Sequence, residues 1–206
     1  MKMKQPYIKI CGLRTEKDAA HLNKNQVDFA GFILFYPKSK RFVTIEQAVS
    51  IKKILNPEIK TVAVTVSPTL SQLKEIEIAG FDYIQIHGTL EKVVLEEAQI
   101  PIFRAFNISD GTEYGKLDRH ANIAGYVLDG KIPGNGETFD WTLLKQFDKQ
   151  DKMLMLAGGL NAENVEKAIL EVQPDIVDVS SGVENVNIMG KDPAKIKEFV
   201  DKVRKV

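Results

Sequence analysis

The sequence predicts a single-domain α/β fold, a trimmed (β/α)₈ TIM barrel spanning residues 1–206. Three observations carry this expectation. Eight short apolar, β-rich runs recur along the chain, amphipathic segments separate most of them, and polar and glycine residues gather just after the runs. Runs of four to seven residues without clean polar alternation suit strands buried on both faces of a parallel sheet. Alternating β and α segments leave either an open doubly wound sheet or a closed barrel. Eight strands of similar length favour closure. The first βα turn also lacks the G-x-G-x-x-G of a dinucleotide-binding sheet. At 206 residues the chain lies near the lower limit for such a barrel, hence a trimmed one.

Taken in order, the expected strands are Tyr7–Ile10, Val27–Ile33, Thr61–Val66, Tyr83–Ile86, Ile102–Phe106, Gly125–Leu128, Met153–Leu156 and Ile176–Val179. Between them, Thr44–Leu55 opens on Thr44 as N-cap with Gln47 three residues on, a capping-box pattern. Leu70–Ala79 follows Ser67-Pro68-Thr69 and stops at Gly80. Asn161–Val172 takes Asn161 as its N-cap, and Pro193 stands at the favoured first position of the last helix, after Asp192. Ser109–His120 is polar and poor in periodicity, so the fifth helix is expected to be weak or irregular. The glycine-containing stretch Lys131–Thr138 has the composition of a mobile lid, and Phe139 and Trp141 beyond it suit packing of a helix against the barrel.

Composition narrows the function. Lys+Arg and Asp+Glu both total 28, so no global field draws the protein to nucleic acid or an anionic membrane. A local anion site needs no net charge, because backbone N–H groups can supply it. Cys11 is the sole cysteine, which excludes an intrachain disulfide and a cysteine-rich zinc site and fits a reducing cytoplasm. The N-terminus has no apolar core of a signal peptide, and no apolar run is long enough for a membrane helix.

In a barrel the active site lies at the C-terminal ends of the strands. Those ends carry Cys11-Gly12, the basic loop Tyr36–Arg41, His87-Gly88, Asp129-Gly130, Gly158-Gly159 and Ser180-Ser181-Gly182; the opposite turns look bland. Gly158-Gly159 and Ser180-Ser181-Gly182, in consecutive loops, form a candidate phosphate site, helped by a short helix N-terminus after the eighth strand. Cys11 is either an inert core thiol or a general base whose pKa nearby positive charge lowers from roughly 8.5. Asp129 is either a turn cap or a catalytic acid, and His87 either caps its strand or touches ligand. Arg41, taken by composition alone, is a solvated surface charge.

Lys9–Leu13, Gly31-Phe32, Phe35–Arg41, Gln85–Gly88, Leu128-Asp129, Gly136–Trp141, Ala157–Asn161 and Asp178–Glu184 occur together in an order and spacing that resembles the phosphoribosylanthranilate isomerase family of tryptophan biosynthesis. The likeness runs from residue 7 to about residue 192. It implies an Amadori rearrangement of N-(5-phosphoribosyl)anthranilate, with Cys11 as general base and Asp129 as general acid. It further implies Arg41 at the anthranilate end, the Gly158-Gly159 and Ser180–Gly182 turns at the phosphate, and no metal or organic cofactor; a monomer or homodimer is expected, the sequence not distinguishing the two. The sequence differs from the family's usual pattern at Gly130, in the lid, at Val64–Pro68 and at Val186–Met189. Since a free carboxyl titrates near 3.9 and a thiol near 8.5 (both approximate), this assignment calls for a raised Asp129 and a lowered Cys11. Two rivals share the phosphate site: another cofactor-free phosphosugar isomerase, and a homologue that only binds a phosphorylated ligand.

Overall fold

The computed structural model describes residues 5–108, 120–130 and 138–206. Its strands are β1 Tyr7–Cys11, β2 Phe29–Ile33, β3 Lys60–Val66, β4 Tyr83–His87, β5 Ile102–Ile108, β6 Ile123–Gly130, β7 Met153–Leu156 and β8 Ile176–Val179. All pair in parallel in chain order, and β8 returns to β1 from Tyr7↔Ile176 to Ile10↔Val179, closing the barrel. Outside lie α1 Glu16–Asn23, α2 Ile45–Lys52, α3 Leu70–Ile78, α4 Lys92–Glu97, α5 Val165–Val172 and α6 Pro193–Lys205. The expected fifth helix (109–119) and most of the expected lid (131–137) lie outside the described residues.

Alternation along each strand divides the core in two. Phe29, Val62, Val64, Phe103, Ala105, Val127, Met155 and Ile176 fill the barrel interior. Ile8, Ile10, Phe32, Ile84, Ile86, Leu128, Leu156 and Val177 pack outward with the helices. The strands are apolar on both sides for that reason. Four rings floor the interior near the strand N-termini: Phe29 meets Tyr7, Tyr83 and Phe103 edge-on, and Tyr83 stacks on Phe103 at 4.8 Å between ring centres. One inward step above that floor, Lys9 and Asp178 form a buried ion pair at 2.7 Å.

The N-terminal turns are less bland than they look in the sequence. Asp28, Asp82 and Asp175 each precede a strand and accept a hydrogen bond from a backbone N–H on the strand before it: Ile8 (2.7 Å), Thr61 (2.8 Å) and Leu154 (2.9 Å). Arg204 of α6 also donates to Asp28 at 2.9 Å, tying the chain's last helix to its first strand pair.

Thr44 and Thr69 cap α2 and α3 with reciprocal boxes to Gln47 and Gln72, which satisfies donors otherwise orphaned in the first turn. Asp192 caps α6, with Pro193 at its start. Several boundaries differ from expectation, α2 ending at Lys52 rather than Leu55 among them, and three have a visible cause. Asn161 caps a turn, accepting from Glu163 and Asn164 N–H groups, and α5 begins only at Val165. Val27 and Asp28 lie before β2 because Asp28 turns its carboxylate to Ile8. Asp129 and Gly130 belong to β6 itself, because β5 continues to Ile108 and pairs Asn107↔Asp129 and Ile108↔Gly130. Trp141 is buried in a 3₁₀ turn against the outer core, in keeping with the packing expected of it.

Candidate active site

A cavity of about 410 Å³ opens among the C-terminal strand ends, a volume suited to one small organic molecule. Cys11, Arg41, His87, Asp129, Gly158, Gly159, Ser180 and Ser181 line it, so eight of the nine expected site residues share one space. Gly182 lines no part of it. It packs against Leu160, where a Cβ would come 2.2 Å from the backbone oxygen, so its smallness lets the β7 and β8 turns touch.

Each side chain arrives there for a local reason. Cys11 ends β1 as an inward residue, two positions beyond Lys9. The loop after β2 leaves the barrel at Phe35, which holds φ of 56°, and is pinned again by the Ile33↔Phe42 bridge and the Val43 N–H to Ile33 oxygen bond. An aromatic residue in the left-handed region is strained; here it directs Tyr36, Ser39 and Arg41 over the mouth. Arg41 is 6% exposed and no solvated charge. It lies over Gly12, where a Cβ would come 2.6 Å from Arg41 Cδ. Glu184 holds it at Nε and, at 3.2 Å, at Nη2. Gly158 and Gly159 turn with φ of 86° and 65°, conformations that glycine adopts without strain and that bring backbone N–H groups close to a ligand. The short helix expected after β8 is one 3₁₀ turn, Ser181–Val183, so no α-helix dipole is available from it.

The electrostatics separate acid from base. Burial and the neighbouring Asp178 carboxylate raise the Asp129 pKa to about 7, against the pull of the Gly130 N–H, Lys9 and Arg41. Asp129 therefore holds a large share of its proton at neutral pH. Cys11 departs from expectation: burial pushes its thiol up, Asp178 adds to that, and Lys9 and Lys191 only offset part of the rise. The cations that were to lower it are present, but desolvation outweighs them. Burial and the charges of Lys9 and Arg104 lower the His87 pKa to about 4. At neutral pH His87 is an uncharged imidazole, 2.8 Å from Gln85 Nε2, and a poor reservoir of protons.

Several residues lining the cavity or lying beside it are not evident as site residues in the sequence. Asp178 lines the cavity with Oδ1 buried and unpartnered, while Oδ2 receives Lys9. Gln85 and Asn107 line it too, and Gln85 Oε1 is likewise buried without a partner. Lys191 is fully buried and donates to the Ser180 carbonyl at 3.0 Å. The missed signal was period two: Lys9, Gln85 and Asp178 are polar residues in apolar strands, each two places before Cys11, His87 or Ser180. Among the described residues, no group of three or more His, Cys, Asp or Glu side chains could hold a metal ion.

A closed parallel barrel whose strand C-terminal ends gather a carboxyl of raised pKa, a thiol and the Gly158-Gly159 turn around a cavity defines a (β/α)₈-barrel protein with its candidate site where such barrels carry their chemistry. The model of the N-(5'-phosphoribosyl)anthranilate isomerase family matches residues 8–202, and the chain belongs to that family. The N-(5'-phosphoribosyl)anthranilate isomerase of Streptococcus mutans is 38% identical over 200 residues, covering 96% of this chain and 98% of its own. A Thermotoga maritima structure of monomers generated from a dimeric phosphoribosylanthranilate isomerase superposes with TM-score 0.83 and 32% identity, over 98% of this chain and 100% of that one. A phosphoribosylanthranilate isomerase bound to reduced 1-(o-carboxyphenylamino)-1-deoxyribulose 5-phosphate gives TM-score 0.84 and 31% identity, at the same coverage.

Proposed function

We propose that this protein isomerises N-(5-phosphoribosyl)anthranilate to 1-(2-carboxyphenylamino)-1-deoxy-D-ribulose 5-phosphate, with Asp129 as general acid and Cys11 as general base. The observation that carries the assignment is an Asp129 carboxyl, titrating at about 7, in the same cavity as the Cys11 thiol.

Asp129 gives its proton to the ribose ring oxygen as the bond from that oxygen to C1 breaks. The anilino nitrogen lone pair forms the second C1–N bond, leaving an iminium cation. That cation acidifies C2–H, and the Cys11 thiolate removes the proton; the C–H electrons become the C1–C2 double bond and the iminium electrons return to nitrogen. The Cys11 thiol then returns its proton to C1 as the enol hydroxyl proton passes to the Asp129 carboxylate, giving the aminoketose and restoring both groups. Hydrogen moves within one molecule with no net oxidation, and the iminium is the electron sink, so the scheme needs no organic cofactor.

The phosphate lies between the Gly158-Gly159 and Ser180–Gly182 turns, and Arg41 receives the ring carboxylate through charge-assisted bonds. Asp178 Oδ1, buried without a partner while Lys9 holds the other oxygen, accepts a hydrogen bond from a sugar hydroxyl. His87, neutral, contacts substrate as a hydrogen-bonding group. We infer one catalytic domain over residues 1–206, working in the cytoplasm as a monomer or homodimer. No described helix is long and apolar enough to cross a membrane.

The test is a continuous anthranilate-fluorescence assay with freshly prepared substrate, alongside complementation of a tryptophan auxotroph lacking this isomerase. Turnover with growth supports the reading. A folded, well-expressed protein that does neither would leave a ligand-binding homologue as the better account.

A further inference from the structure

A bidentate charge contact at the mouth of the cavity joins two residues that are 143 positions apart in sequence. Glu184 turns both carboxylate oxygens to Arg41, Oε1 to Nε and Oε2 to Nη2 at 3.2 Å. A guanidinium presents flat, forked edges, and a bidentate carboxylate occupies one of them. Among the described residues Nη1 has no hydrogen-bond partner, and Arg41 lines the cavity.

Glu184 is itself held firmly. Lys40 lies 3.2 Å and Lys191 3.6 Å from its oxygens, its backbone carbonyl accepts from Lys195 at 2.9 Å, and it pairs across a short antiparallel bridge with Lys191. Arg41 and Lys191 lower its pKa to about 2 despite its partial burial, so it is ionised throughout the working range. One carboxylate faces three cations here. The cluster keeps an excess of positive charge and can take a second carboxylate beside the first. Lys191 links it onward to the Ser180 carbonyl, and the Ser180 hydroxyl donates to the Cys11 carbonyl at 2.9 Å.

We propose that Glu184 is a positioning residue: it clamps one edge of Arg41 so that the other edge is set, in advance, to receive the ring carboxylate of the substrate. The clamp also prevents the long side chain from sampling other rotamers, entropy that would otherwise be lost on binding. This rests on the reading of Arg41 given above. Glu184 touches no reacting atom in this scheme; it acts through Arg41.

The test uses two stable probes, the reduced product and the same molecule built on aniline, which lacks the carboxylate. Inhibition constants for both are measured on the wild type, Glu184→Ala, the isosteric Glu184→Gln, and Arg41→Ala, with folding checked by thermal denaturation. The wild type should favour the carboxylated probe by about tenfold or more, the worth of one charge-assisted contact. Arg41→Ala and Glu184→Ala should erase most of that preference, and Glu184→Gln should reduce it. With substrate, the Glu184 variants should raise KM far more than they lower kcat. If both Glu184 variants keep the wild-type preference, or weaken both probes equally while Arg41→Ala loses the preference, Glu184 is not the clamp. If Arg41→Ala keeps the preference, the reading of Arg41 is wrong and the proposal falls with it.

Discussion

Replacing Asp129 with Asn should stabilise the protein at neutral and alkaline pH while removing its activity. In the folded protein this carboxyl titrates at about 7, against 3.8 for a free one, and it is 8% exposed, so solvent screening discounts little. A raised carboxylate pKa contributes stability that is complete below the unfolded value and is lost as pH climbs through the folded one. Relative to acid pH, the wild type therefore gives up on the order of 4 kcal/mol by the time pH passes 7. Asparagine does not ionise, and its Oδ1 can still accept from the Gly130 N–H, which donates to Asp129 at 2.7 Å. The stability difference, Asp129→Asn minus wild type, should thus rise with pH by about 1.4 kcal/mol per pH unit between 5 and 7 and level off above. Urea unfolding of both proteins at half-unit pH steps from 5 to 8.5 measures this. A difference that is flat with pH would mean that Asp129 is ionised like any surface carboxylate, and the acid role would lose its physical basis.

Three further outcomes follow from the site. Cys11→Ala should fold and bind the reduced product, yet lose turnover by about 10²–10⁴-fold or more, the worth of a general base; near-normal kcat would end the proton-abstraction role. Because Cys11 titrates above Asp129, the active form is the minority with thiolate and carboxylic acid together, so kcat/KM should rise to about pH 7, run level, and fall only above the ordinary thiol range. The acid-side bend then reports Asp129 and not Cys11, and a profile peaking sharply below pH 7 would contradict it. A crystal grown with the reduced product should show its phosphate between Gly158-Gly159 and Ser180–Gly182; density for the phosphate at the Arg41 end instead would reverse the orientation proposed here.

What the sequence revealed and what it hid divide along the range of the interactions. The eight strands were legible because each is apolar on both faces, and α2, α3 and α6 because their caps are local chemistry written within four residues. The helix α1 escaped although Thr15 and Asp18 form a capping box, since its apolar stripe reduces to Ala19 and Leu22. The six-residue α4 escaped because it has neither a side-chain cap nor a usable period. Cys11 and Asp129 could be found from strand ends and motif alone. Arg41 could be found only by resemblance, because its burial depends on Gly12 and on Glu184, both distant in sequence. The high thiol pKa of Cys11 was out of reach for the same reason: it is a balance of burial against Lys9, Lys191 and Asp178, and only the last inward turn of the fold sets that balance.

The three aspartates beneath the barrel have a bearing on how the molecule could be taken apart. Each clasp joins neighbours, β1 with β2, β3 with β4 and β7 with β8. Opening the chain between α2 and β3 severs none of them, whereas opening it at α1, α3 or α5 separates an aspartate from the strand it holds. The first kind of break yields two pieces, each keeping its own pairings. They would present to one another the bare edges of β2 and β3 on one side, and on the other side β8 facing β1, with Arg204 still reaching for Asp28. Three strand pairs are fastened in this way, and the joint between β2 and β3, which none of these clasps crosses, is a natural point of division.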